Sequence, residues 1–136
     1  MTKPIPTVQK YMTTTPLTIG REQTIERAAA MMSENRVRHL PVLEGGHLVG
    51  VLSERDVAMI QNLAGVDPKI VRVEEAMSLL PYAVAPDAPL DVVVSEMAEK
   101  RIGSAVVMQN AKVVGIFTAV DAMTALAVLL RTRLGN

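Results

Sequence analysis

Gly50-Val51-Leu52-Ser53-Glu54-Arg55-Asp56 returns later in the chain as Gly115-Ile116-Phe117-Thr118-Ala119-Val120-Asp121. The offset from Gly50 to Gly115 is 65 residues, and it holds without a gap along most of the sequence. It pairs Val8 with Val73, Met12 with Met77, Pro16 with Pro81, Met32 with Met97, Glu34 with Glu99, Arg36 with Arg101 and Val49 with Val114. Apolar positions match as well: Ile19 falls on Val84, Ile25 on Leu90 and Val37 on Ile102. Chance similarity does not hold one register from residue 8 to residue 121, so the chain is a duplication of one unit.

Each unit reads as mixed α and β. In the first, Leu17-Thr18-Ile19 is a short strand and Thr24 caps a helix running to about Asn35, with Ile25, Ala28, Ala29 and Met32 on one face. His39 to Leu43 and His47 to Leu52 form a hairpin around Glu44-Gly45-Gly46, and Ser53 opens a second helix. The second unit repeats this with Tyr82 to Val84, Pro89 to about Lys100, Ser104 to Met108, Lys112 to Phe117 and a helix from Thr118. Short helical stretches near Val8–Met12 and Val73–Met77 join the repeats. The expected domains are 7–63 and 72–131, with 64–71 as linker. One strand–helix–strand–strand–helix unit has a thin core and a sheet face needing cover, and two packed together supply it. Methionines 31, 32, 59, 97 and 123 read as core filler.

Composition narrows the functions. Fourteen Lys and Arg balance fourteen Asp and Glu across 136 residues, which gives no electrostatic reason to seek nucleic acid or an anionic membrane. Phe117, Tyr11 and Tyr82 are the whole aromatic complement, too few for base-stacking platforms. Absence of cysteine excludes disulfides, thiolate zinc sites and cysteine nucleophiles, and fits a cytoplasmic protein. Prolines at positions 4 and 6 interrupt any signal-peptide core. Val113 to Leu130 is long enough for a membrane span, but Gly115, Thr118 and Asp121 break it, so it reads as a strand and a buried helix. That last helix is apolar nearly all round, from Ala122 and Met123 to Leu129 and Leu130, and needs cover on every side. A partner subunit in a homodimer is the expected cover.

The chemistry-bearing pattern is Ser/Thr-x-x-Asp where a strand turns into a helix: Ser53 with Asp56, and Thr118 with Asp121. A capping box accounts for it fully when one copy is taken alone. The same geometry also suits a ligand. Helix-start amides attract an anion, the hydroxyl adds a donor, and the carboxylate can hold the vicinal hydroxyls of a ribose. Arg36, Arg38 and His39 fit a phosphate site and a solvated helix end equally well. Gly45-Gly46-His47-Leu48-Val49-Gly50 is neither a dinucleotide fingerprint nor a P-loop, and a hairpin explains it better. His39 and His47, the two histidines, read as solvent-facing strand residues rather than metal ligands, and no catalytic nucleophile stands out.

With His39-Leu40-Pro41-Val42 and Gly50 to Asp56 in a duplicated unit, the chain resembles the cystathionine-β-synthase (CBS) domain family over about residues 7 to 130. The resemblance implies two tandem βαββα repeats packed with pseudo-twofold symmetry, and adenosyl ligands held in two clefts. AMP, ADP, ATP or S-adenosylmethionine would be a regulatory ligand, with or without magnesium, and no catalytic cofactor or metal is implied. Ribose and phosphate roles then fall to Asp56 with Ser53 and to Asp121 with Thr118. The resemblance assigns cleft lining to Thr14, Thr15, Pro16, Leu80, Pro81 and Tyr82 before the first strands. It assigns the same to His39, Leu40, Pro41, Gly103, Ser104 and Ala105. Arg55 gives the first site more positive charge for a polyphosphate, whereas Ala119-Val120 in the second suits a nucleoside with little phosphate. The expected function is a non-catalytic sensor of adenylate level acting on a separate, unknown partner protein. The competing readings are a dimerisation or docking module without nucleotide and, third, a metal-responsive module using acidic residues.

Overall fold

A computed structural model describes residues 4–134. After a single 3-10 turn, Val8–Lys10, the elements are β1 (Thr13–Thr14), β2 (Ile19–Gly20), α1 (Ile25–Asn35), β3 (His39–Glu44), β4 (His47–Ser53) and α2 (Glu54–Gln61). A second 3-10 turn, Val73–Glu75, precedes β5 (Ala83–Val84), α3 (Leu90–Lys100), β6 (Ser104–Gln109), β7 (Lys112–Thr118) and α4 (Ala119–Leu129). A π-helical turn, Leu130–Leu134, closes the series. Two tandem βαββα repeats are therefore present, and the stretch 113–130 divides into β7 and α4. No helix among the described residues is long and apolar enough to cross a membrane.

The chain packs as two compact units, Pro16–Pro81 and a second made of Tyr82 onward together with the lead-in that ends at Thr15. In the first, β2 runs parallel to β3 (Ile19↔Val42) and β3 antiparallel to β4 (Leu40↔Leu52), with a bulge between Val42 and Leu43. Ile25, Ala28 and Met32 of α1 and Val57 of α2 bury against Leu40, Val42 and Leu52. Val73 completes this core at 0% exposure. Around it Arg21 donates from Nε to Glu74 (2.7 Å) and from Nη1 to Glu44 (2.8 Å), tying the 3-10 turn to β2 and β3.

The second unit has the sheet order β1-β7-β6-β5. Its core is Leu90, Val93, Met97, Ala105, Val107, Phe117 and Ala125, and here Val8 is the residue at 0% exposure. The bulge recurs at the equivalent place, between Val107 and Met108. Thr13 pairs with Ile116 in β1–β7, and the same offset in the first unit gives the isolated bridge of Ser78 with Val51. Each repeat's lead-in thus packs on the sheet of the other repeat, an exchange that the expected boundaries do not express. The lead-ins, expected as helices, are one 3-10 turn each. Residues 64–71 are ordered against α1, whose Ile25 and Glu26 amides donate to Val71 and Pro68 carbonyls.

Local signals account for the element ends. Thr24 Oγ1 accepts from the Arg27 amide at 3.1 Å to start α1. Arg36 and Arg101, both at φ 55°, end α1 and α3 in the left-handed conformation. Gly45-Gly46 turns the first hairpin with φ of 55° and 82°, whereas Asn110-Ala111 must adopt 53° and 62° in the second. Two expectations change on the helices. Met32 and Met97 are buried, but Met59 and Met123 are 61% and 64% exposed, because α2 and α4 each cover a sheet with only one face. The outer side of α4 carries Val120, Met123 and Leu126 in the open, followed by Leu130 in the π-helical turn.

Candidate functional site

Both Ser/Thr-x-x-Asp motifs sit at the strand-to-helix turns β4–α2 and β7–α4, and both form reciprocal capping boxes. At the first, the Ser53 amide donates to Asp56 Oδ2 at 2.9 Å and the Asp56 amide donates to Ser53 Oγ at 3.1 Å. At the second, the Thr118 amide donates to Asp121 Oδ2 at 2.9 Å and the Asp121 amide to Thr118 Oγ1 at 3.4 Å. The Thr118 hydroxyl also donates to Asp121 Oδ2, at 3.2 Å. The structural role is therefore real. It uses one oxygen of each carboxylate: Oδ1 of Asp56 and Oδ1 of Asp121 accept nothing from the described residues. Both aspartates are half-buried, so that oxygen is held in place and still reachable.

The helix starts keep donors too. Glu54 and Ala119, the first residues of α2 and α4, donate their amides back to the Arg38 and Gly103 carbonyls at 2.8 and 3.1 Å. Asp56 and Asp121 amides are used by the caps. The next amides, of Arg55 and Val120, have no partner among the described residues, leaving one donor per turn in the favourable field of a helix start. Each turn thus offers a fixed carboxylate oxygen and a free backbone N–H within one turn of helix, and the first adds the Ser53 hydroxyl proton, whereas that of Thr118 is used by Asp121.

Charges around the two turns differ. β3 places His39 opposite Ser53, and β6 places Ser104 opposite Thr118. His39 is half-buried rather than solvent-facing, while His47 is exposed. Burial holds the His39 imidazole below its ordinary value; Arg38 pushes the same way, and Asp56 and Glu54 oppose it. Arg38 and Glu54 are exposed and lie 4.0 Å apart, a weak surface pair. Arg55 is exposed beside them. Arg36 is the left-handed cap of α1 with an exposed side chain, so the helix-end reading of that residue is satisfied.

Leu40, Pro41 and Ala105 are fully buried and present backbone rather than side chain; Ser104 is nearly so. Thr14 and Thr15 are exposed, with Thr15 at φ 45° and its hydroxyl donating to the Thr14 carbonyl at 2.8 Å. That conformation is uncommon for a β-branched residue. Pro16, Pro81 and Gly103 are half-buried, and Leu80 is 91% exposed. Tyr82 is half-buried, its phenol pushed up first by burial and next by Glu96. Among the described residues no group of three His, Asp or Glu side chains is placed to hold a metal ion. The Arg21–Glu44–Glu74 cluster gives no signal in the sequence, because its members are far apart in the chain and belong to no motif.

The sequence pattern of the CBS domain matches residues 8–62 and 71–128. The chain is 32% identical over 114 residues to the CBS domain-containing protein YhcV of Bacillus subtilis, covering 84% of this chain and 81% of that one. It is 27% identical to the inosine-5'-monophosphate dehydrogenase of Korarchaeum cryptofilum over 89% of its own length but spans only 24% of that enzyme. Among solved structures it is similar to AcuB from Vibrio cholerae, with a TM-score of 0.84 and 28% identity over 98% of both chains. It is also similar to the CBS domain pair of protein MJ0100 in complex with 5'-methylthioadenosine and S-adenosyl-L-methionine. There the TM-score is 0.83 and the identity 26%, over 92% of this chain and 98% of that one. With both repeats matched in order and nearly the whole length aligned to domain-pair structures, the chain belongs to the CBS domain family.

Proposed function

We propose that this chain is a non-catalytic regulatory module that binds an adenosyl ligand at the turns Ser53–Asp56 and Thr118–Asp121 and passes its state to a separate protein in the cytoplasm. The observation that carries the reading is the free Oδ1 of each cap aspartate, next to a free helix-start amide. A carboxylate pinned through Oδ2 is pre-organised to accept from a ribose diol, so little ordering cost remains at binding. The MJ0100 pair, which holds two adenosyl compounds, supports the ligand class. Exposed Arg38 and Arg55 with His39 favour a phosphorylated ligand at the first turn; Gly103, Ser104, Ala119 and Val120 favour an uncharged one at the second. The cleft-lining roles of Thr14, Thr15, Pro16, Leu40, Pro41, Leu80, Pro81, Tyr82 and Ala105 belong to the same proposal, as does a homodimer formed over the outer face of α4.

The test is thermal unfolding with AMP, ADP, ATP, S-adenosylmethionine and GTP, with and without magnesium. A ligand at 100 times its dissociation constant stabilises the native state by about 2.7 kcal/mol. Asp56→Ala and Asp121→Ala are then titrated separately. Loss of a charged hydrogen-bond acceptor should weaken adenosyl binding at its own turn by roughly 10- to 100-fold, and loss of the cap should cost about 1 kcal/mol of stability. Undiminished affinity in both variants sinks the reading. No shift with any nucleotide, and none released on denaturation, supports the docking module instead.

A further inference from the structure

The second unit contains a cavity of about 290 Å³ between α3, α4 and residues Ile5 and Pro6 of the lead-in. Its floor is apolar, with Leu90, Val94, Ala125 and Leu129, and two charged residues line it, Asp91 and Arg133. The offset of 65 lets its walls be compared with the first unit. Ala122 and Ala125 stand where the first unit has Val57, which is buried, and Ile60, which packs on its core. Facing them, Val93 and Val94 of α3 stand where the first unit has Ala28 and Ala29, so side-chain bulk shifts from α4 to α3 and the remaining space is bounded by both helices. A cavity of this size lies just below the ~300–1,000 Å³ range of drug-sized sites, with room for a small metabolite and not for a nucleotide.

The two charges choose the ligand. Arg133 donates from Nη2 to the Pro4 carbonyl at 2.8 Å, which holds the guanidinium at the cavity mouth with its remaining N–H groups free among the described residues. Asp91 lies in the first turn of α3. No ion pair joins Asp91 to Arg133 among the described residues, so opposite charges face one apolar space without neutralising each other. A fatty acid would satisfy Arg133 and be repelled by Asp91; an alkylamine would do the reverse. We propose that the cavity binds a free aliphatic α-amino acid, its carboxylate on Arg133, its ammonium on Asp91 and its branched side chain on the floor. This site is separate from the strand-to-helix turns and does not depend on the adenosyl reading.

Isothermal titration of the full chain with L-leucine should give saturable binding. 4-Methylpentanoate, 3-methylbutylamine and glycine, each lacking one of the three recognised parts, should bind at least about tenfold more weakly. Arg133→Gln and Asp91→Asn should each weaken leucine by about tenfold, while adenosyl binding is unchanged. Ala122→Val with Ala125→Ile, which installs the α2 residues of the first unit on α4, should abolish leucine binding by filling the space. The proposal is overturned if leucine shows no saturation in the millimolar range, if 4-methylpentanoate binds as well as leucine, or if both charge variants bind as the parent does. It is equally overturned if the filled variant changes only the oligomeric mass, since the cavity would then belong to an interface with a second copy.

Discussion

Gly50 and Gly115 occupy equivalent places in the two repeats, and each lies under the methionine of an exchanged lead-in, so replacing each by alanine measures how rigidly that lead-in is held. A Cβ on Gly50 would lie 2.6 Å from the Ser78 carbonyl oxygen and 2.7 Å from Met77 Sδ. Reaching ordinary contact requires the Ser78 backbone to retreat by about 0.8 Å. Ser78 exchanges both backbone hydrogen bonds with Val51, at 2.9 and 3.1 Å, and that retreat breaks them. Two bonds at about 1 kcal/mol each, with overpacking strain of roughly 1–3 kcal/mol partly relieved by the movement, put the cost of Gly50→Ala at about 2–4 kcal/mol. On Gly115 the three nearest atoms, Sδ first, all belong to the Met12 side chain. A methionine can rotate away at a cost of about 1 kcal/mol, and alanine recovers up to about 1 kcal/mol of the chain entropy that glycine loses in a strand. Gly115→Ala should therefore be nearly neutral. Urea unfolding of both variants beside the parent decides it. If Gly115→Ala costs as much as Gly50→Ala, the reasoning from backbone against side-chain neighbours is wrong.

His39 makes stability fall on the acid side. Its folded value lies below the unfolded one, so as pH drops through about 6.5 the unfolded chain takes up a proton that the folded chain refuses. The resulting slope is at most about 1.4 kcal/mol per pH unit, ends at the folded value, and should vanish in His39→Gln when unfolding is followed from pH 8 to 5. Arg21→Met should lower the unfolding midpoint and remove part of its dependence on salt, since Arg21 bonds both Glu44 and Glu74; an unchanged salt response would show the cluster to be idle. In light scattering the parent should have twice its 14.7 kDa chain mass, and Met123→Glu on the exposed face of α4 should halve it; a parent already at 14.7 kDa refutes the pairing.

What was legible in the sequence is what short-range chemistry determines. Thr24, Ser53 and Thr118 start their helices with side-chain oxygens on nearby amides, and Gly45-Gly46 supplies the positive φ of a two-residue hairpin. The Asn110-Ala111 turn was legible only through the repeat, because an alanine at φ 62° is not a residue that such a turn selects. The partner of each lead-in was not legible at all. Val8 and Val73 are the same residue at equivalent positions, and the contacts that separate them, such as Glu74 with Arg21, join residues far apart in the chain. At the candidate site the motif was visible but its spare valences were not, because a capping box and a ribose site share their residues. Which carboxylate oxygen is used by the cap, and which remains, is a matter of geometry.

Duplication explains how one fold can carry unlike surroundings on like frames. The cap at each turn is needed for the helix that follows, so Ser/Thr and Asp serve folding whether or not a ligand arrives, and the polar geometry persists in both units. The flanking positions are under no such demand. Arg38, Glu54 and Arg55 have exposed side chains, and the ion pair of Arg38 with Glu54 is a weak one at 4.0 Å, so these side chains set the local charge without supporting the core. Their counterparts Gly103, Ala119 and Val120 carry no charge. The helices differ as well: Ala122 and Ala125 of α4 stand where α2 has Val57 and Ile60, Val93 and Val94 of α3 where α1 has Ala28 and Ala29, and a cavity lies beside Asp91 and Arg133. Folding thus fixes the hydrogen-bonding pattern common to both turns, while the positions it leaves free determine which charge, and which small molecule, each unit can attract.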